Sequence, residues 1–244
     1  MEFYAKTDIG KCRSINQDSV YACNKPIGPL PNLFIVADGM GGHLAGDYAS
    51  AYTVRRLPEL IQNADSDNEI AVLRQAINTI NQELFEIGQN EPKYFGMGTT
   101  IVACCVTGKL LTIANVGDSR LYLYTKKNIR QITRDHSLVA ALVALGELEV
   151  DSEIYQQNKN IITRAVGVEP SVDVDVFQMQ LKQGIRILLC SDGLTNMVND
   201  QAILEIVKDY DKELNESVVQ LIDTANDNGG QDNISVIAVE PQLS

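Results

Sequence analysis

Five aspartates in this sequence stand beside glycine, serine or asparagine at the edges of apolar runs. They are Asp18 in RSINQDSV, Asp38 in LFIVADGMGGH, Asp118 in LTIANVGDSR, Asp192 in IRILLCSDG and Asp232 in GGQDNISVIAV. A short apolar run bounded by turn residues reads as a buried strand. Each carboxylate is therefore expected where a rigid element meets a loop, and Asp38 where its strand leaves the core. Carboxylates brought to one rim repel one another unless a cation sits between them, and an oxygen-only donor set suits Mg²⁺ or Mn²⁺. With two histidines in the whole chain, a His-rich zinc site fits poorly. Any one of these acids could instead be a turn residue capping its own backbone; the fivefold repetition points to metal. Arg13, five residues before Asp18, has the fork geometry to hold a phosphate, though a surface ion pair is its competing role. Gly39, Gly41 and Gly42 let the backbone after Asp38 bend and approach a ligand closely, and His43 opens a helical pattern.

Other chemistries fail on spacing. None of the five cysteines is followed six positions on by arginine, as a cysteine phosphatase requires. DVDVF at Asp173 approaches an aspartyl-nucleophile pattern but ends in Phe177, and its acids fit the wet side of an alternating strand. GMGGHL breaks a dinucleotide fingerprint at Leu44, DSDNEI lacks the glycine of a calcium loop, and neither GxxxxGK[ST] nor GxSxG occurs. The formal charge of −12 argues against a nucleic-acid partner. The odd cysteine count without a CxxC pair fits a reducing compartment. Without a leader-like start or an apolar run of spanning length, the chain is expected to be cytoplasmic, with no membrane association.

The elements that must position these residues follow from periodicity. Short strands are expected at Glu2–Thr7, Ser19–Cys23 and Leu33–Asp38, then helices at Leu44–Gln62 and Glu69–Ile87. Strands at Gly98–Val106, Leu110–Val116, Leu121–Tyr124 and Ile129–Ile132 are joined by turns too short for anything but antiparallel neighbours. Asp135–Leu148 reads as a helix, and DSEIYQQNKN (151–160) as a polar loop within a possible lid at about 145–165. Strands at Val172–Leu181 and Ile185–Cys190, helices at Asp200–Tyr210 and Glu213–Asn226, and a strand at Ile234–Val239 complete the chain. Helices segregated from antiparallel strands indicate an α+β fold. A four-layer α-β-β-α sandwich, two antiparallel sheets with a helix pair on each outer face, would bury every apolar stripe. The length suits one domain over residues 1–244.

Eight segments, RSINQD, VADGMGGH, GTT, VGDSR, TRDHS, ITRAVG, SDGL and QDNISV, together resemble, in order, the motifs of the metal-dependent protein phosphatases, the 2C-type serine/threonine phosphatases in their compact bacterial form. The resemblance spans nearly the whole chain and implies the same sandwich fold. It implies hydrolysis of phosphoserine and phosphothreonine by a hydroxide bridging two metals, with two to three Mn²⁺ or Mg²⁺ bound. Asp38 would bridge two ions. Asp192 and Asp232 would hold one of them, Asp18 and the Gly39 carbonyl the other, and Asp118 would join Asp192 at a third. Arg13 would grip the phosphate, and His43 or a metal-bound water would protonate the leaving group. Phosphorylated proteins are the implied partners, among them a bacterial Ser/Thr kinase and its substrates, and the chain is expected to act as a monomer. Departures from the pattern are Met40, where many relatives place histidine directly after Asp-Gly; Gln17, where others carry glutamate; and the lack of a His-Pro pair near Gln156 and Gln157. The alternative from another class is a catalytically silent relative that binds phosphoproteins or partners, which should have lost a metal acid; all five are present.

Overall fold

The computed structural model describes residues 1–41, 45–150 and 152–243. Its strands, in chain order, are β1 (Glu2–Asp8), β2 (Asp18–Cys23), β3 (Leu33–Met40), β4 (Gly98–Thr99), β5 (Ile101–Thr107), β6 (Leu110–Val116), β7 (Arg120–Tyr124), β8 (Ile129–Gln131), β9 (Asp175–Gln180), β10 (Arg186–Cys190) and β11 (Ile234–Glu240). The helices are α1 (Ala45–Gln62), α2 (Glu69–Asn90), α3 (Leu138–Ala144), α4 (Glu153–Asn158), α5 (Asp192–Thr195), α6 (Asp200–Val207) and α7 (Leu214–Asp227). One sheet runs β1-β11-β10-β7-β8 and the other β2-β3-β5-β6-β9, with β4 paired to the end of β3; the strand pairs are antiparallel.

Alternation along the strands builds three apolar layers. In β3, Leu33, Ile35 and Ala37 face α1 and α2 with Leu57, Ile61, Ile77 and Ile80. Phe34 and Val36 face the opposite way and meet Leu121, Leu189 and Ile237 of the other sheet. On the far side of that sheet, Tyr122, Leu188 and Val236 pack under Leu204-bearing α6 and α7, against Ile203, Val218 and Leu221. Successive side chains point to opposite faces, so a strand buried on both sides must read as a continuous apolar run. That is why the runs at 33–37 and 187–190 lack the polar–apolar alternation of a half-exposed strand. Truncating a side chain such as Leu57 or Ile77 to alanine in these layers costs about 2–5 kcal/mol.

The expected α-β-β-α sandwich is the one observed, with differences at its edges. β3 does not end at Asp38 but continues to Met40, because Gly39 and Met40 pair with Thr99 and Gly98. The strand expected at 98–106 is interrupted at Thr100, whose amide donates to the Asp38 carbonyl at 2.8 Å. The helix expected from Asp135 starts after Ser137, whose hydroxyl accepts from the Ala140 amide, and ends before Gly146 at φ 73°. The segment read as a polar loop holds α4, capped by Ser152. Short polar helices without an apolar stripe escape a periodicity argument. Strand β9 begins at Asp175 rather than Val172.

Candidate active site

The β2–β3 ladder places two of the five acids face to face. Its register pairs Asp18 with Asp38, then Ser19 with Ala37 and Val20 with Val36. Like charges directly opposite on an antiparallel pair are destabilising, so nothing about the sheet itself asks for this rung. Asp38 is held by its backbone: its amide donates to Thr100 Oγ1 at 3.0 Å, and its carbonyl accepts from the Thr99 hydroxyl at 2.9 Å. Gly39 follows in a space no side chain could share, since a Cβ there would lie 2.0 Å from the Gly46 carbonyl oxygen at the start of α1.

The remaining acids arrive from the other sheet and the β6–β7 turn. Asp192 opens α5 directly after β10, and Asn196 one turn on donates to its Oδ2 at 2.8 Å. A Cβ on the intervening Gly193 would sit 2.0 Å from the Asn233 carbonyl oxygen, so α5 and the approach to β11 are in backbone contact. Asp232 lies in that approach, and its Oδ2 accepts from Arg13 Nη2 at 2.8 Å. Asp118 is buried in the β6–β7 turn. Ser191 Oγ donates to Asp18 Oδ2 at 2.7 Å, linking the two sheets beneath the site.

The sandwich thus brings Asp18, Asp38, Asp118, Asp192 and Asp232 to one rim, and charge makes the proximity costly. Burial raises the Asp18 carboxyl to about 7, with repulsion from Asp192 and Asp232 added. Burial and Asp192 raise Asp118 to about 8. Asp38 stands well above its ordinary value through burial first and then Asp18, Asp192, Asp118 and Asp232; Asp192 is raised by burial and by Asp232. These are the causes a divalent cation would oppose.

The donor set fits such a cation. One oxygen each of Asp18, Asp118 and Asp192 is buried without a hydrogen-bond partner, a state that polar groups in a folded interior rarely tolerate. Among the described residues no three His, Cys, Asp or Glu side chains converge as a ready-made cage, so two or three carboxylates would have to close around an ion, with carbonyl oxygen and water completing it, as Mg²⁺ and Mn²⁺ accept. Beside the acids runs a cleft of about 540 Å³ lined by Asp118, Asp192, Asn196, Tyr155 and Lys159. A smaller one of about 160 Å³ joins Arg13, Lys159, Gly193 and Asp232. A larger cavity, about 820 Å³, lies apart from the acids, but its buried cation, Arg186, is already paired with Glu240.

Arg13 is thereby seated at the acids, on a loop tied down by Asn233. The Asn233 side chain accepts from the Gln17 amide at 2.8 Å and donates to the carbonyls of Ile9 and Ile15 at 2.9 and 3.0 Å. His43 lies outside the described residues. Asn233, Asn196, Ser191 and Thr100 are site-building residues that sequence reasoning did not single out. Adjacency to Asp192 in SDG and to Asp232 in QDN could have flagged Ser191 and Asn233, and the four-residue spacing from Asp192 could have flagged Asn196; Thr100 adjoins none of the acids in sequence.

Comparison with known proteins places this geometry among relatives. A family model described as protein phosphatase 2C matches residues 11–234. The chain is 42% identical to the serine/threonine phosphatase stp of Listeria monocytogenes, over 98% of this chain and 95% of that protein. It superposes on the S. agalactiae serine/threonine phosphatase with a TM-score of 0.91 at 37% identity, covering 99% of each chain. A further structure, the catalytic domain of the serine/threonine protein phosphatase PstP in complex with two manganese ions, superposes with a TM-score of 0.84 at 34% identity, covering 97% of this chain and 96% of that one.

Proposed function

This chain belongs to the protein phosphatase 2C family, and from that premise we propose how its residues divide the work. It is a metal-dependent serine/threonine phosphatase acting on phosphoproteins. Two to three Mn²⁺ or Mg²⁺ would be held by Asp38 as the shared ligand, Asp192 and Asp232 on one side, Asp18 and the Gly39 carbonyl on the other, with Asp118 and Asp192 at a third position. The observation that carries this assignment is the convergence of five acids with buried, unpartnered oxygens on Asp18, Asp118 and Asp192. Bound there, divalent ions would lower the pKa of a water so that hydroxide is available near neutral pH, and would offset charge on the phosphoryl oxygens.

The chain's own residues do the rest. Arg13 is half exposed and spends one N–H on Asp232, which leaves donors of its fork for the substrate phosphate. Thr99 and Thr100 fix the Asp38 backbone, so its carboxylate is aimed before substrate arrives. Asn196 and Ser191 orient Asp192 and Asp18 through their second oxygens, as outer hydrogen bonds do at metal sites. His43 is the candidate donor of the leaving-group proton. We further propose a single catalytic domain over residues 1–244, acting as a cytoplasmic monomer opposite a bacterial Ser/Thr kinase and without nucleic-acid or membrane partners. No helix among the described residues is long and apolar enough to cross a membrane.

The test is phosphate release from a phosphothreonine peptide with Mn²⁺ and with a chelator. Release that requires Mn²⁺ and stops with chelator is expected. A protein that binds Mn²⁺ yet releases no phosphate from peptide or protein substrates would refute the assignment.

A further inference from the structure

The TRDHS segment (133–137) supplies none of the ligands above, yet its histidine is 6% exposed and fully engaged. His136 Nδ1 lies 3.1 Å from the Gly117 amide nitrogen. The amide donates, so Nδ1 is the acceptor and the proton of the neutral ring sits on Nε2. Nε2 lies 3.1 Å from Asp175 Oδ2, and Asp175 Oδ1 accepts from Arg164 Nη1 at 3.1 Å. The His136 backbone adds two links: its amide donates to the Gly117 carbonyl at 3.0 Å, and its carbonyl accepts from the Thr163 amide at 2.8 Å. Two residues later, the Leu138 amide donates to the Ile161 carbonyl at 2.8 Å. His136 therefore joins the turn that carries Asp118 to both feet of the excursion containing α3 and α4.

The Gly117 end of this link leads straight to the acids. Gly117 has φ 101°, and a Cβ there would lie 2.6 Å from the Thr100 side chain, so the turn is pressed onto Thr100. Thr100 Oγ1 in turn accepts from the Asp38 amide and shares a 2.7 Å hydrogen bond with Ser119 Oγ, next to Asp118. A displaced Gly117 must move Thr100, and with it the backbone of Asp38 and the turn of Asp118.

We propose that His136 is a positioning residue for the phosphatase reaction: as a neutral Nε2–H ring it fixes Gly117, thereby setting the Asp118 and Asp38 carboxylates, and ties them to the base of the α3–α4 excursion. The inference rests on the metal-dependent phosphatase reading above. The charged groups around the ring are Asp175, Arg164 and Asp135.

The test compares His136→Asn, whose amide oxygen can replace Nδ1 as acceptor for Gly117, with His136→Phe, which keeps only bulk. Both are measured as full chains with native circular dichroism. Mn²⁺ binding by calorimetric titration is read first, then the Mn²⁺ concentration giving half-maximal hydrolysis of p-nitrophenyl phosphate. Expected is a weakening of Mn²⁺ binding of about tenfold or more in the Phe variant, the range of outer hydrogen-bond partners at metal sites, and of less than about threefold in the Asn variant. A Phe variant with lowered Tm but unchanged Mn²⁺ binding would reduce His136 to a packing residue and overturn the proposal. Should the Phe variant not fold, the nitrogen spectrum of the wild-type ring decides: an Nε2–H tautomer is expected, and a proton on Nδ1 overturns it. A wild type that neither binds Mn²⁺ nor releases phosphate would instead sink the phosphatase reading itself.

Discussion

Stripping divalent metal from this protein should make it less stable as the pH rises from 5 to 8.5. Asp18 ionises near 4 in an unfolded chain and at about 7 in the fold. The folded state therefore holds a proton that the unfolded state has released between those values. A group raised in this way contributes its stability in full below its unfolded pKa and loses it as pH climbs through the folded one. At about 1.4 kcal/mol per pH unit, Asp18 alone accounts for a loss of roughly 3 kcal/mol between pH 5 and its folded value. Asp118, raised to about 8, acts in the same direction but shares neighbours with Asp18, so the two are not summed. For a chain of this size, roughly 3 kcal/mol is about 9 °C in Tm. His136 opposes the trend only at the acid end. Burial lowers its pKa, so its contribution is present above 6.5 and lost as pH falls through its folded value. The assay is calorimetric unfolding in chelator and in saturating Mn²⁺ across this pH range. The chelated Tm should fall with pH, and the gain from Mn²⁺ should be larger at pH 8 than at pH 5.5, because the ion competes with protons for the same oxygens. A chelated Tm that is flat or rises with pH, with an equal Mn²⁺ gain throughout, would refute the account of these acids as a mutually repelling cluster.

Other substitutions test single parts. Asp38→Ala and Asp192→Ala should abolish turnover while raising the chelated Tm at pH 8, since each removes a repelling charge; full activity in either would undo the ligand assignment. Arg13→Ala should raise KM for phosphopeptides several-fold with a smaller change in kcat, and an unchanged KM would mean the metals hold the phosphate alone. Asn233→Ala removes three hydrogen bonds that anchor the Arg13 loop; at about 1 kcal/mol net for each it should lower Tm and raise KM, as measured by thermal unfolding and steady-state kinetics. Gly193→Ala forces a Cβ to 2.0 Å from the Asn233 carbonyl and should cost more than about 3 kcal/mol or prevent soluble expression, as urea titration would report.

What the sequence made legible follows from burial. Runs such as 33–37 and 187–190 serve two cores at once, so they are unmistakably apolar, and the acids that follow them are conspicuous. The layer order came from segregated helices and short turns for the same reason. Less legible was anything decided by a single hydrogen bond. The start of α3 after Ser137 rather than at Asp135, the break at Thr100 and the continuation of β3 past Asp38 depend on which partner a backbone amide finds across the fold. The acids could be collected by type and setting, whereas Ser191, Asn196, Thr100 and Asn233 act through contacts that span up to 224 residues of sequence. α4 was missed because six residues with a capping serine carry no periodic stripe.

Strand β3 is a party wall. Each residue before Asp38 belongs to one of two rooms, the helix-covered layer or the layer between the sheets, and none of Leu33–Ala37 faces solvent. Variation that suits one room is invisible to the other, so the helices outside and the second sheet within can drift in sequence independently while the wall between them stays put. The consequence falls on Asp38, whose position is inherited from both rooms at once. Repacking one side meets resistance from the other before it reaches the carboxylate. Change in substrate preference is thereby directed away from the sheets and towards the rim, to the Arg13 loop and the α3–α4 excursion, where a new side chain alters what the site sees without disturbing where it stands.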